Sequence, residues 1–523
     1  MKKTVALVLS FIFIMISIPF AFTVTAGASR RKGDVDFNGF VESKDYLMIK
    51  CAVLNTYALS EDERAGADVS GDGDVTAVDY LMVKRDVLKS YFIDSYVEYS
   101  EGLEYWLTNG GQSYRVLGIG SCSDADIAIP PVHDGLPVTA VGSTVFTNNG
   151  RINSIYIPAS VTNIYDSFVH GCSNLVRLTV SPKNPVYHSA GNCIIKTEEK
   201  KVIAGCKTSV IPDDGSVTVI GEEAFYGCSG LESIVIPEGV TAIEESAFDE
   251  AFHLESISFP ESLKYIGKSA FYNCFYLNVD LVIPDNVEYI GAKAFYCTTV
   301  KSVSIGKGLN NYEAGAFSEC REIVSITVDE DNETFYSVGN CIVRSADGVL
   351  VQGSSASVIP EDGSIREIGD YAFCGMALAE NLKIPDSVEK IGECAFKSID
   401  GTKNVLLGAG VKTLGDYAFH LSYIIESITL NEGLLSIGEN ALSQIHGMSS
   451  ITIPSTVNHI GLRAFQSDIA LNSVTFANPA KWKLTNYFDT NNVVYLSPSQ
   501  ISDRAFCAQA LLENYVNYVW DKA

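Results

Sequence analysis

The sequence predicts a multidomain chain: a small all-α module built on paired acidic loops, followed by a long α/β solenoid of short strands joined by short helices and turns. Three observations predict it. Residues 34–54, DVDFNGFVESKDYLMIKCAVL, align without a gap on residues 68–88, DVSGDGDVTAVDYLMVKRDVL, at an offset of 34. From about residue 138 a Phe returns, most often after 22–24 residues, inside a recurring Ile-Gly-x-x-Ala-Phe pattern, and a fixed period in that range signals a repeat solenoid. Finally, 523 residues exceed what one compact core holds, and 47% hydrophobic with 19% charged residues is the composition of a core-forming chain.

The chain begins with Met1-Lys2-Lys3, runs almost wholly apolar over residues 4–22, and then offers the small residues Ala26-Gly27-Ala28. This is the pattern of a secretory signal peptide over residues 1–28, with an uncleaved membrane anchor as the alternative for the apolar run. Net charge is −26, and about −28 once Lys2 and Lys3 leave with the leader. Such an acidic surface repels phosphate backbones and anionic lipid, which excludes nucleic acid and membrane surfaces as partners. The 13 cysteines of an exported chain suggest disulfides at first sight. However, Cys228, Cys274 and Cys320 each follow a repeated Phe by three residues, and Cys193 and Cys341 occupy equivalent places in two related segments. These are positions for small buried residues, so thiols packed in a repeat core are expected instead. No Cys/His cluster has zinc-ligand spacing.

The paired loops carry the clearest chemistry. Ca²⁺ is a hard ion that takes six to eight oxygens, and a tightly curled loop supplies them from alternate residues. In the first loop these are Asp34, Asp36 and Asn38, the carbonyl of Phe40, and Asp45. In the second they are Asp68, Ser70 and Asp72, the carbonyl of Asp74, and Asp79. Gly39 and Gly73 stand sixth, where the backbone must turn sharply. Val41 and Val75 follow as inward anchors, and residues 46–54 and 80–88 have apolar residues at helical spacing. Two structural Ca²⁺ ions are therefore expected.

Residues 33–92 resemble the type I dockerin module, in which each calcium loop closes on Asp and is followed by one helix. The resemblance implies a cohesin domain of a scaffoldin as partner. It places the recognition residues at the tenth and eleventh loop positions, Ser43 and Lys44 in one repeat and Ala77 and Val78 in the other, with Lys50, Lys84 and Arg85 at the rim. Cys51 departs from the family pattern, which commonly has a second basic residue there.

In the repeats, a run such as Ser233-Ile234-Val235-Ile236 reads as a strand that Pro237 ends. Ile-Gly then turns the chain, and Ala-Phe tucks inward on a short helical or irregular segment. One unit cannot bury its Phe and Ile alone, so stacked neighbours must share a core. Two spacings are long, from Phe168 to Phe225 and from Phe317 to Phe373, and hold matching inserts at 180–205 and 328–353. Each insert reads as a β-hairpin excursion. The Ile-Gly-x-x-Ala-Phe-x-x-Cys pattern resembles the BspA type of bacterial surface leucine-rich repeat over residues 98–523. The resemblance implies an N-terminal cap at 98–137, a leucine-rich repeat solenoid at 138–477 and a C-terminal cap at 478–523, helical over 503–518. About thirteen strands at ~4.8 Å make a sheet roughly 60 Å long, sized for a polymer or a protein.

No catalytic site emerges. Seven histidines are scattered, and GxSxG, HExxH and P-loop motifs are absent from the sequence. The pairs Glu222-Glu223 and Glu244-Glu245 read as solvated turn residues rather than an acid/base couple. The expected function is a secreted, non-catalytic binding or adhesion protein of a cellulosome-like complex, its repeats recognising a polysaccharide, cell-surface or protein ligand. The alternative is a dockerin-borne O-glycosyl hydrolase of polysaccharide catabolism with an unfamiliar site. A third, weaker reading is a structural spacer.

Overall fold

The computed structural model describes residues 35, 43–54, 58–69, 74–77, 79, 80, 83 and 97–523, and the chain divides into two units between Glu98 and Tyr99. The first unit holds helices Ser43–Val53 and Glu61–Ala67, with residues 77, 79, 80 and 83 also helical. Helix Glu61–Ala67 starts on a capping box. The Ser60 hydroxyl takes the Glu63 N–H, and the Glu63 carboxylate takes the Ser60 N–H, satisfying two N–H groups that a helix start leaves open. Sequence reasoning passed over this helix, although Ser60-x-x-Glu63 is its written signal.

The second unit is the expected repeat solenoid, but each coil carries two strands rather than one. The expected strand is present thirteen times, in five short parallel ladders. Ser233–Val235 on Ser256–Ser258 is one, with Ser233, Ile234 and Val235 opposite Ser256, Ile257 and Ser258. A second, two-residue strand ends on the apolar residue of the Ile-Gly position, Ile in most coils and Tyr312 before Glu313 in one. Val219–Ile220, Ala242–Ile243, Tyr265–Ile266, Tyr289–Ile290 and Asn311–Tyr312 pair in parallel from coil to coil.

The Ala-Phe segment is neither helical nor irregular. It forms tandem turns with a left-handed residue two positions before and two after the Phe in most coils, as at Glu223 (φ 55°) and Gly227 (φ 66°) around Phe225. Every second N–H then reaches the next coil: Glu223 to Glu245 at 3.1 Å, Phe225 to Ala247 at 2.7 Å, and Gly227 to Asp249 at 2.8 Å. Three hydrogen-bonded ladders thus link successive coils, and no backbone face is left for the core to solvate.

Inside, the rings of Phe225, Phe248, Phe271, Phe295 and Phe317 stack at 4.8–5.1 Å. The stack resumes over Phe373, Phe396 and Phe419 at 5.0–5.1 Å. The twelve cysteines of this unit are free thiols, and most are buried. The Cys274 thiol donates to the Phe248 carbonyl at 3.2 Å, and the Cys320 thiol to the Phe295 carbonyl at 2.9 Å. The slot three residues after Phe therefore wants a small side chain that can donate one hydrogen bond across a coil.

Each insert is a three-stranded meander rather than a single hairpin. Tyr187–Ala190, Cys193–Lys196 and Lys201–Ala204 pair antiparallel, and the third strand joins Val219–Ile220 in parallel. The second insert repeats this with Phe335–Val338, Cys341–Arg344 and Val349–Gln352. Each ends on a glycine against the next Phe. A Cβ on Gly205 would sit 2.0 Å from the Phe225 ring, and one on Gly353 1.9 Å from Phe373. At the C-terminal end, short helices Pro498–Ile501 and Arg504–Gln509 precede Tyr518–Lys522, which pairs antiparallel with His459–Ile460 and Trp482–Asn486. This buries Trp482 and Trp520 over the last coil, and closes an end that would otherwise expose core and strand edge.

Candidate functional site

In the first unit, the duplicated sequence folds onto itself. Val35 and Val69, the second residue of each loop, are fully buried with Ile49, Ala67 and Val83. Val75, expected as an inward anchor, packs on this core half-buried, while Val41 lies outside the described residues. The repeated tyrosines meet across the repeat: the Tyr46 and Tyr80 rings stack at 4.9 Å and their hydroxyls are hydrogen-bonded at 2.5 Å. A residue pair related by the 34-residue offset thus closes the module.

The closing carboxylates lie at the heart of the site. Asp45 and Asp79 are both fully buried. The Asp45 Oδ1 accepts the Val35 N–H at 2.7 Å, which ties the end of the first loop to its start. The Asp79 Oδ2 accepts the N–H and the hydroxyl of Thr76 at 2.7 and 3.0 Å. Burying ionised carboxylates is costly unless hydrogen bonds or a cation compensate, and two carboxylates buried at equivalent positions suit a hard cation. Asp68 is half-buried, and the Asp74 side chain is exposed, as befits a residue expected to offer its carbonyl. Asp34, Asp36, Asn38, Phe40, Ser70 and Asp72 lie outside the described residues. The donor types present fit Ca²⁺, whose chemistry here would be to neutralise the acidic loops and hold their ends together.

Of the expected partner residues, Ser43 and Lys44 open helix Ser43–Val53, Lys50 is exposed in its last turn, and Ala77 is exposed. Val78, Lys84 and Arg85 lie outside the described residues. Sequence reasoning missed Leu47 and Leu54, which are 42% and 62% exposed beside Lys50. They stand three residues before and four after Lys50, so one helix face presents them together.

In the second unit the acidic pairs belong to the turn ladder. The Glu222 N–H donates to the Glu244 carboxylate at 3.0 Å, and Lys201 and Lys268 pair with Glu244 and Glu245 at 2.5 and 2.6 Å. Among the described residues, no group of three or more His, Cys, Asp or Glu is placed to hold a metal. No described helix is long and apolar enough to cross a membrane.

Fold and site together define a modular repeat protein, a parallel-ladder solenoid joined to a small module with duplicated acidic loops. The chain belongs to the BspA type leucine rich repeat family, which matches residues 126–214, 218–341 and 366–493, and it carries a dockerin type I domain at residues 32–88. No curated protein matches the sequence. Among solved structures it is similar to a leucine rich cell surface protein from Faecalibacterium prausnitzii A2-165, at 22% identity over 73% of this chain and 89% of that one, TM-score 0.46. It is also similar to the pneumococcal vaccine antigen PcpA, at 20% identity over 73% and 81%, TM-score 0.40. A leucine-rich repeat protein from Bacteroides ovatus ATCC 8483 shares 21% identity over 73% and 88%, TM-score 0.36.

Proposed function

We propose that this is a secreted, non-catalytic binding protein. Its dockerin, held by two structural Ca²⁺ ions, attaches it to a cohesin domain of a scaffoldin, and its repeats present a recognition surface to a polysaccharide, cell-surface or protein ligand. The observation that carries the reading is the dockerin match at residues 32–88, with its two closing carboxylates buried in equivalent places. Ser43, Lys44, Lys50 and Ala77, joined by Val78, Lys84 and Arg85, supply the cohesin face, and the exposed Leu47 and Leu54 give it an apolar centre. The repeats support a binding role because their recurring residues serve packing: the Phe rings stack and the thiols bridge coils.

A pull-down of the intact chain on an array of cohesin domains tests this. Retention in millimolar Ca²⁺ and release by EGTA are expected. Retention by no cohesin in saturating Ca²⁺ would overturn the attachment.

A further inference from the structure

We propose that the face built by the three- and four-residue strands is the docking surface for a neutral polysaccharide lying along the array. This deepens the function proposed above and rests on its reading of the repeats as a ligand-binding element.

Charge is segregated around the solenoid. The thirteen strands run from Asp126–Ala128 to Ser473–Phe476, and their charged residues are Asp126, Arg177, Asp280 and Lys383, two of each sign. This is an electrically quiet face on a chain of net charge −26. The turn ladder differs sharply, with Glu222, Glu223, Glu244, Glu245, Asp249 and Glu250 in two successive coils. In and just before the two-residue strands, Lys/Glu pairs run from coil to coil, such as Lys390 with Glu367 at 2.6 Å and Lys412 with Glu389 at 2.5 Å.

The quiet face has two outward columns with different chemistry. In the first, Ser233, Ser256, Ser302, Ser325, Ser427 and Ser450 recur. Its polar groups are fixed sideways: Ser302 donates to Asp280 at 2.6 Å, Ser427 to Asn404 at 2.7 Å, and the Asn404 amide to Asn381 at 2.9 Å. In the second column, Val235, Val282 and Leu406 are 69%, 63% and 47% exposed, interspersed with exposed Ser258, Ser304, Thr327, Lys383, Thr429 and Thr452. Both columns stand on strands held by parallel pairing with a neighbouring coil, on both sides in the case of Ser302–Ile305. They are rigid, and little side-chain entropy is lost when a ligand orders them.

A hydroxyl-rich face with exposed aliphatic groups at intervals matches one chemistry well. Neutral sugar chains present a hydroxyl edge and an apolar C–H face, repeated along their length. An anionic polymer would meet the acidic field of the molecule, and the two cations of this face are balanced by Asp126 and Asp280, Lys383 being also paired with Glu361 at 2.7 Å. An added β-strand would bind through backbone hydrogen bonds at a strand edge, whereas the outward columns offer side chains, and the edges within each ladder are taken by coil-to-coil pairing, as on both sides of Ser302–Ile305. A stable pairing with a second copy would bury an apolar core, whereas here a hydroxyl column runs the length of the face.

The test uses the intact chain in Ca²⁺, with cohesin capture as a separate readout. Retention on insoluble cellulose and mannan is compared with retention on anionic polygalacturonate, for the native chain and three variants. V235A/V282A/L406A trims the exposed aliphatic groups, V235E/V282E adds repelling charge, and E223Q/E245Q alters the turn ladder as a control. Circular dichroism verifies that each variant folds. Expected are retention on a neutral polysaccharide, a loss of tenfold or more in both face variants, and less than twofold change in the control. Retention on no neutral polysaccharide, a loss that follows the turn-ladder control instead, or a dimer by light scattering that the face variants dissolve would each overturn the assignment. Cohesin capture is unchanged in every arm if the attachment stands, so the two readings fail separately.

Discussion

Asp468 is a residue whose chemistry is set by the slot it occupies. It stands three residues after Phe465, where Cys274 and Cys320 donate a thiol, and Ser422 a hydroxyl, to a carbonyl of the preceding coil. It is fully buried, its Oδ1 accepts the Ile445 N–H at 2.7 Å, and its Oδ2 is buried with no hydrogen-bond partner among the described residues. Burial pushes its carboxyl up to about 9, so at neutral pH the folded chain holds a proton there and Asp468 becomes the donor its slot elsewhere contains. The sign follows from linkage. The folded value lies above the unfolded one, so the group costs nothing below about pH 4 and costs increasingly as pH rises towards 9, on the order of 1 kcal/mol per pH unit. Asp468→Asn keeps the acceptor, supplies an N–H donor and removes the titration. The expected result is a higher melting temperature than the native chain at pH 8, shrinking to little difference at pH 5. Parallel melting curves against pH would show that the proton is not held. The Cys and Ser of this slot were legible from the repeat alignment. Asp468 was not, because an acid three residues after a Phe reads as one more exposed turn residue until its burial is known.

At the scale of elements, what the sequence made legible depended on length. The three- and four-residue strands show their in-out alternation, and Pro237 marks an end. The two-residue strands cannot show a period of two, and Ile-Gly was read as a turn alone. The tandem turns were hidden for another reason. Left-handed backbone is usually announced by Gly or Asn, yet here Glu223, Ser246, Ser269, Lys293 and Tyr371 adopt it, held by hydrogen bonds between coils. In the dockerin, the loops were legible because oxygen donors recur at fixed steps, while the Tyr46–Tyr80 contact needed the fold. Stability of that module should follow Ca²⁺. If each site binds at ~10 μM, then ~1 mM Ca²⁺ adds about 2.7 kcal/mol per site to the folded state. Among the described residues, the five fully buried apolar ones, Val35, Ile49, Ala67, Val69 and Val83, are a small core to set against that. EGTA is expected to open residues 33–92 to proteolysis and lower helical dichroism, while the repeats stay protected. An identical digestion pattern with and without EGTA would refute the dependence.

The whole array is a one-dimensional stack, and its stability is a sum over coils and the interfaces between them. A uniform stack would unfold as one unit, but this one has a seam. Its buried apolar residues fall into a smaller cluster, from Leu103 to Cys206, and a larger one, from Cys193 to Trp520, which meet within the first insert. There the Phe stack begins afresh at Phe225, with Gly205 rather than another ring against its face. The second insert repeats the geometry at Gly353 and Phe373, yet the larger cluster continues across it, carried by Phe335, Ile342 and Leu350. Duplicated inserts therefore do not make equivalent joints. Local opening follows the number of buried contacts that must be broken, so the segment before the first insert should open at lower free energy than the coils behind it. Hydrogen exchange of the intact chain is expected to show amides of strands Ser154–Ile157 and Arg177–Val180 exchanging together, ahead of those in Ser302–Ile305 and Ser427–Thr429. A difference of 2 pH-corrected decades or more would correspond to roughly 3 kcal/mol between the two openings. If all four strands exchange at one rate, the array is a single cooperative unit and the first insert is no seam.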